Sequence, residues 1–139
     1  MKFVLDNLVV MRWLLKNGSP ERLAYAGRVL EHMEQGASAS VPQIWPLEVG
    51  NVLLKAQARR LVNEAQGSAF VGLLQDALIK TDMQTQTHAL SDTLHLAHRF
   101  GLSTCDACYL KLALRENMKL ATLDHDLRAA CEKLDCLWV

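Results

Sequence analysis

Four acidic residues fall where the chain is expected to end a strand or to begin a helix. They are Asp6, Glu48, Asp106 and Asp124. The first directly follows the apolar run Phe3-Val4-Leu5, and the last follows a predicted strand over 119–122 with one residue between. The other two lie in the first turns of predicted helices. Because ligand sites in parallel sheets form beyond the carboxyl ends of the strands, all four carboxylates can meet at one edge of such a sheet.

Clustered carboxylates indicate a cation site. Taken singly, each of these acids could instead cap a helix or complement its dipole. Together they repel one another, and the repulsion raises their pKa values unless a cation offsets it. Hard divalent cations such as Mg²⁺ or Mn²⁺ prefer oxygen ligands, and such an ion can activate water and stabilise the charge that develops in phosphoryl transfer. The four acids therefore favour metal-dependent hydrolysis of a phosphodiester.

Strands and helices that must position these acids alternate along the chain. The predicted strands cover residues 3–5, 37–41, 79–83, 119–122 and 136–139. The predicted helices cover 9–15, 20–35, 44–60, 63–78, 85–100 (opening at Thr85 or Thr87), 104–117 and 123–134. Ser19 and Pro20 are typical of a helix start, and Gly36 and Gly101 of helix ends. The alternation predicts one domain over 1–139, a three-layer α/β/α sandwich with a short, mostly parallel sheet of four or five strands.

Composition narrows the classes of function. The 139 residues include 15 Lys+Arg and 15 Asp+Glu, and half of the chain is hydrophobic. This argues against disorder and against binding of nucleic acid by net charge alone. No apolar run reaches the roughly 18 residues of a membrane span, and Asp6, Asn7 and Arg12 interrupt the apolar N-terminal stretch. We expect no membrane association and a cytoplasmic location.

Four sequence blocks carry a family resemblance. They read VLDNLVV over 4–10, WPLEVGNVL over 45–53, LSTCDACYL over 102–110 and LATLDHDL over 120–127. In this order they resemble the PIN-domain ribonucleases, and specifically the VapC-type toxins of bacterial toxin–antitoxin pairs. Asn7 and Gly50 depart from the small Ser or Ala and from the Ala that are common in the family, but neither change removes an acid.

The resemblance implies a site, an activity and partners. Asp6, Glu48 and Asp106 would hold one Mg²⁺ or Mn²⁺ ion in an endoribonuclease that hydrolyses RNA, with Asp124 completing that site or a second one. The resemblance also implies the strand order 3-2-1-4-5, a homodimer and a cognate antitoxin protein. The helices over 20–35 and 63–78 are the predicted dimer or antitoxin contacts.

Supporting residues follow from the same blocks. Thr104 matches a hydroxyl position that supports Asp106, Asn51 lies one helical turn after Glu48, and Asp126 could replace or assist Asp124.

Three basic residues are candidates for contacts with the RNA backbone. Two of them, Lys55 and Arg59, continue the helical face of Glu48, and Arg128 lies one turn after Asp124. An ordinary solvated surface explains the same pattern.

Cysteines and histidines offer competing interpretations. The C-x-x-C of Cys105 and Cys108, with Cys131 and Cys136, could form a redox or zinc site, although small buried thiols that pack a helix fit the spacing better. A stripe of His88, Asp92, His95 and His98 could bind zinc or simply face solvent, and His125 could contact substrate. A different class of function, a catalytically silent PIN-like module that binds RNA or protein, also stays open.

Overall fold

The computed structural model describes residues 1–139. Four strands, β1 (Lys2–Leu5), β2 (Ser38–Val41), β3 (Ile79–Thr81) and β4 (Lys119–Ala121), form one parallel sheet in the order β3-β2-β1-β4. Eight helices flank it: α1 (Asn7–Leu14), α2 (Pro20–Glu34), α3 (Trp45–Ala58), α4 (Glu64–Asp76), α5 (Thr85–His88), α6 (Asp92–Phe100), α7 (Thr104–Glu116) and α8 (His125–Lys133). The predicted α/β class and its parallel sheet are confirmed. None of the helices combines the length and the apolar character that crossing a bilayer requires.

The central strand β1 anchors the hydrophobic core. Phe3, Val4 and Leu5 are all buried, as expected for a strand covered on both faces. The strand pairs with β2 on one side and with β4 on the other. The pairing with β4 continues one step further, because the backbone N–H of Asp6 donates to the carbonyl of Ala121 at 3.0 Å. The first predicted site residue is therefore fixed to the carboxyl end of both strands.

Predicted helix boundaries agree with the structure at several caps. The Ser19 hydroxyl accepts a hydrogen bond from the backbone N–H of Arg22, and Pro20 occupies the first turn of α2. Ser103 caps α7 in the same way, by accepting from the N–H of Asp106. Gly101 takes a left-handed conformation with φ of 65° at the end of α6, a geometry that glycine adopts without the strain of a Cβ atom.

One predicted helix is wrong. The segment over 85–100 forms two helices, α5 and α6, because the chain leaves the helical conformation at Ser91, where φ is −120° and ψ is −102°. The Ser91 hydroxyl donates to the carbonyl of His88 at 3.3 Å, a local bond of the kind by which serine competes with helix continuation. The predicted stripe of His88, Asp92 and His95 therefore does not lie on one continuous helix.

The fifth predicted strand, over 136–139, is reduced to a single parallel bridge between Leu120 and Leu137. Leu137 lies on the side of β4 away from β1, so the order of all five predicted segments agrees with the structure. The segment makes two backbone hydrogen bonds to β4, from the Leu120 N–H to the Cys136 carbonyl at 2.7 Å and from the Trp138 N–H to the Leu120 carbonyl at 3.0 Å. The carbonyl of Trp138 instead accepts a hydrogen bond from the Tyr25 hydroxyl at 2.6 Å.

Candidate active site

Asp6 is the most buried acid of the chain. Its residue is 2% exposed, and its Oδ2 accepts a hydrogen bond from the Thr122 hydroxyl at 2.7 Å. Burial raises the pKa of Asp6 from 3.8 to about 7, and the bond from Thr122 opposes this rise only in part. The negative charges of Asp106, Glu48 and Asp124 raise the pKa further, so all four predicted acids are electrostatic neighbours.

Glu48 reaches the same region from the first turn of α3. Its Oε1 accepts a hydrogen bond of 2.5 Å from the hydroxyl of Tyr109, a buried residue of α7. Burial raises the pKa of Glu48, the bond from Tyr109 lowers it, and the charge of Asp106 raises it again. Asn51 is exposed one turn further along α3 and makes no side-chain hydrogen bond.

Asp106 lies in the first turn of α7. Burial raises its pKa most, followed by the charge of Asp124, while the hydrogen bond with Ser103 lowers it. The charge of Asp126, an exposed residue of α8, also raises it. Thr104, the residue predicted to support Asp106, is exposed and makes no hydrogen bond to it, whereas the Ser103 hydroxyl accepts a hydrogen bond from the backbone N–H of Asp106.

Asp124 is the N-cap of α8. Its Oδ2 accepts a hydrogen bond of 2.9 Å from the backbone N–H of Leu127. Its own N–H donates to the Thr122 hydroxyl at 3.1 Å. One hydroxyl group therefore connects two predicted site residues, donating to the Asp6 carboxylate and accepting from the Asp124 backbone.

No cation neutralises this cluster within the protein. The four ion pairs of the structure all lie elsewhere, and none includes Asp6, Glu48, Asp106 or Asp124. Neighbouring carboxylates without a cationic partner destabilise one another when ionised, and their oxygens are the ligands that Mg²⁺ and Mn²⁺ prefer.

The four carboxylates supply the oxygen ligands that a divalent cation prefers, whereas their side chains do not converge on a single point. As they stand, no three His, Cys, Asp or Glu side chains form a group that could hold a metal ion. Three of the carboxylates already accept hydrogen bonds within the protein, Asp6 from Thr122, Glu48 from Tyr109 and Asp124 from the first turn of α8. Holding an ion therefore requires some of these side chains to rotate.

Thr122 and Tyr109 contact the predicted acids, although sequence patterns did not single them out. Thr122 follows the last residue of β4 directly, and Tyr109 comes three residues after Asp106, on the same face of α7. The strand-end position of Thr122 and the helical spacing of Tyr109 from Asp106 could thus have indicated both residues. Their residue types could not, because a buried threonine or tyrosine is also common in ordinary cores.

The three predicted basic residues differ in how close they lie to the acids. Arg128 is half-buried, and its Nη1 donates to the carbonyl of Thr122 at 2.7 Å, beside the acids. Lys55 is exposed on α3. Arg59 is the C-cap of α3, eleven residues after Glu48, which is about 16 Å along the helix axis.

The cysteines do not assemble into one cluster of ligands. All four are free, and Cys105 is exposed, whereas Cys108, Cys131 and Cys136 are buried. The thiol of Cys108 donates to the carbonyl of Cys105 at 2.9 Å. Burial raises the pKa of Cys108, and a thiol that stays protonated is a poor nucleophile and a poor metal ligand. For Cys108, these features favour packing over redox chemistry.

In the segment that contains His88, His95 and His98, Asp92 forms an ion pair with Lys111. Asp92 Oδ2 contacts Lys111 Nζ at 3.0 Å, and this bond lowers the pKa of Asp92. His95 and His98 are exposed on α6, and His125 is exposed at the start of α8.

Comparison with known proteins gives a family and two structural neighbours. The fold resembles PAE2754 from Pyrobaculum aerophilum over 94% of this chain and 79% of the other, with a TM-score of 0.62 and 20% identity. It also resembles VapBC2 from Rickettsia felis, solved bound to a DNA fragment from their promoter, over 89% of this chain and 88% of the other, with a TM-score of 0.63 and 16% identity. A search of curated proteins found no match. The PIN domain family matches residues 3–133, and the chain therefore belongs to the PIN domain family.

Proposed function

We propose that this protein is a Mg²⁺- or Mn²⁺-dependent endoribonuclease that hydrolyses RNA phosphodiester bonds. The observation that carries the proposal is the cluster of four carboxylates without a cationic partner, in which the pKa of the most buried member is about 7. PIN domains are generally nucleases, which supports this class of reaction.

Each acid has a defined role in this proposal. The ion would be held by the four acids Asp6, Glu48, Asp106 and Asp124. Asp126 would assist Asp124, and Asn51 and Thr104 would lie at the rim of the site. A divalent ion bound there activates water and offsets charge on the phosphoryl oxygens.

The chain's own hydroxyl groups orient the ligands. Thr122 fixes one oxygen of Asp6 and the backbone of Asp124, and Tyr109 fixes one oxygen of Glu48. Oriented ligands of this kind typically bind metal more tightly than free ones. Asp6 must also lose its proton to serve as a ligand, so we expect cation binding to strengthen as the pH rises through about 7.

We further propose that the protein is the toxin of a toxin–antitoxin pair, with a protein antitoxin and a homodimeric state. The likeness to VapBC2 supports this role. A catalytically silent module is the alternative, and the observation that favours it is that the side chains do not enclose an ion as they stand.

Three measurements on the same variants test the proposal. They are Mn²⁺ binding by calorimetry, cleavage of a labelled single-stranded RNA with Mn²⁺ or EDTA, and growth arrest on expression in bacteria. The wild type should bind Mn²⁺, cleave only with metal and arrest growth, and Asp6→Asn should lose all three. The matched control is Asp76→Asn, an exposed residue at the end of α4 that makes no side-chain hydrogen bond.

The outcomes separate the alternatives. RNA cleavage that persists both in EDTA and in the Asp6→Asn variant would contradict the metal-dependent mechanism. RNA binding without any cleavage by the wild type identifies a silent module, and cleavage without growth arrest removes the toxin role only.

A further inference from the structure

A cleft of about 470 Å³ opens beside Leu123, the residue that precedes Asp124. Its walls include Arg22 and Arg28 from α2 and Arg128 from α8, arranged around Tyr25 and Leu123. We refer to it as the arginine cleft.

The arginine cleft shares a backbone segment with the carboxylate cluster. The Nη1 atom of Arg22 donates to the carbonyl of Leu123 at 3.3 Å, and that of Arg128 donates to the carbonyl of Thr122 at 2.7 Å. The side chain of Thr122 bonds Asp6, and Asp124 follows Leu123 directly. The segment over 122–124 therefore joins the cleft to the carboxylates, so that an RNA strand bound at the carboxylates can extend toward the arginines.

A rigid aromatic platform holds two of the three guanidinium groups. The carbon Cζ of Arg128 lies 4.8 Å from the centroid of the Tyr25 ring, and that of Arg28 lies 5.5 Å from it. The Tyr25 ring is buried, meets the Trp138 ring edge-on at 5.7 Å, and donates its hydroxyl proton to the Trp138 carbonyl. Cation–π contact with a fixed ring orients the guanidinium planes before any ligand arrives.

No acid neutralises these three arginines. None of them takes part in an ion pair, whereas Arg115 binds both Asp82 and Glu116. Glu21 is the one acidic residue of the cleft wall, and it is exposed and unpaired. A guanidinium fork without a carboxylate partner matches the oxygens of a phosphate. The charge is local, because the chain as a whole is neutral.

We propose that the arginine cleft binds a backbone phosphate of single-stranded RNA next to the phosphate that is cleaved, an inference that rests on the proposed ribonuclease function. The position of the cleft next to the carboxylates favours RNA over an acidic peptide as the ligand. One RNA strand can place a phosphate on the arginines and the neighbouring phosphate on a cation held by the carboxylates. Arg28 is the most informative residue, because its guanidinium lies over the Tyr25 ring and makes no hydrogen bond or ion pair within the protein.

The test measures binding of a short fluorescein-labelled single-stranded RNA in EDTA, where no cleavage is expected. Arg28→Gln should weaken binding about tenfold, the loss expected for one charge-assisted hydrogen bond. It should also reduce the slope of log K against log salt by about 0.7, the effect of one lost phosphate contact on a single strand. Arg28→Lys should keep the slope and recover part of the affinity. With Mn²⁺, Arg28→Gln should raise the KM for RNA more than it lowers kcat.

Arg99→Gln is the matched control. Its guanidinium also stacks on an aromatic ring, that of Phe100, with Cζ 4.8 Å from the centroid, but it lies on α6 outside the cleft. Equal losses in Arg28→Gln and Arg99→Gln, or no loss in either, overturn the proposal. Arg28-dependent binding of poly-glutamate in place of RNA also overturns it and assigns the cleft to an acidic protein.

The two proposals fail separately. Mn²⁺-dependent cleavage with RNA binding that does not depend on Arg28 removes the cleft and keeps the nuclease. Arg28-dependent binding without cleavage supports the cleft as an RNA phosphate site and removes the nuclease.

Discussion

Replacing Asp6 with asparagine should stabilise the metal-free protein at alkaline pH. The asparagine side chain can keep an oxygen facing the Thr122 hydroxyl, while the substitution removes a carboxylate that is 2% exposed and surrounded by Glu48, Asp106 and Asp124. The wild type must ionise this group in its buried setting when the pH rises, whereas the variant has nothing to ionise.

The sign and size follow from the pKa of Asp6. This pKa rises from an ordinary value of 3.8 to about 7 in the fold, so between these values the folded protein holds a proton that the unfolded chain releases. Stability therefore falls as the pH rises from about 4 to about 7, by up to about 4 kcal/mol in total, and stays reduced above that range. Ionisation of Glu48 and Asp106 acts in the same direction, since their pKa values are raised too.

Urea unfolding in EDTA, followed by tryptophan fluorescence at several pH values, measures this effect. We expect Asp6→Asn to match the wild type near pH 4, to exceed it above pH 7 and to show a flatter pH profile, while Asp76→Asn follows the wild type throughout. Saturating Mn²⁺ should stabilise the wild type more than Asp6→Asn. A wild-type stability that is flat across this range, or an Asp6→Asn protein less stable than the wild type above pH 7, would refute the assigned burial energetics.

Two further substitutions examine the hydroxyl groups of the site. Thr122→Val removes the hydroxyl that donates to Asp6. It should weaken Mn²⁺ binding near neutral pH by about tenfold or more, as measured by calorimetry. The control is Thr81→Val, at an exposed position of β3, which should bind Mn²⁺ as the wild type does. Tyr109→Phe removes the donor to Glu48 and should cost about 1.5–3 kcal/mol of stability in metal-free urea unfolding. A similar cost of Tyr109→Phe in a Glu48→Ala background would contradict the role given to this bond, because a double-mutant cycle isolates the pairwise energy.

Local patterns predicted much of the fold because they have local causes. The continuous apolar run of β1, the Ser19–Pro20 start of α2 and the Gly101 end of α6 each reflect a property of a few neighbouring residues. The strand order came from the family resemblance and agrees with the structure.

Features that depend on distant contacts were not predictable in the same way. One example is the last segment, in which the Trp138 carbonyl bonds the hydroxyl of Tyr25, 113 positions earlier in the chain. The break at Ser91 has a local cause, the bond of its hydroxyl to the His88 carbonyl, but serine also occurs inside continuous helices and does not by itself mark a break.

At the candidate site, the sequence placed the acids at the correct ends of their elements but not the hydroxyl groups between them. The bond from Thr122 to Asp6 joins residues 116 positions apart in the chain, and the bond from Tyr109 to Glu48 joins residues 61 apart. No pattern along the sequence records such pairs. The same limit applies to the arginine cleft, in which two positions on α2 meet one on α8.

The pairing of β1 with β4 has a consequence for synthesis in the cell. Strand β1 is synthesised more than a hundred residues before its partner β4, and contacts of such large sequence separation form slowly. The candidate site includes residues on both sides of this pairing, so a nascent chain that has not yet exposed β4 and the start of α8 has no complete set of acids. Any activity of the site should therefore arise abruptly, only after β4 and the start of α8 have been translated.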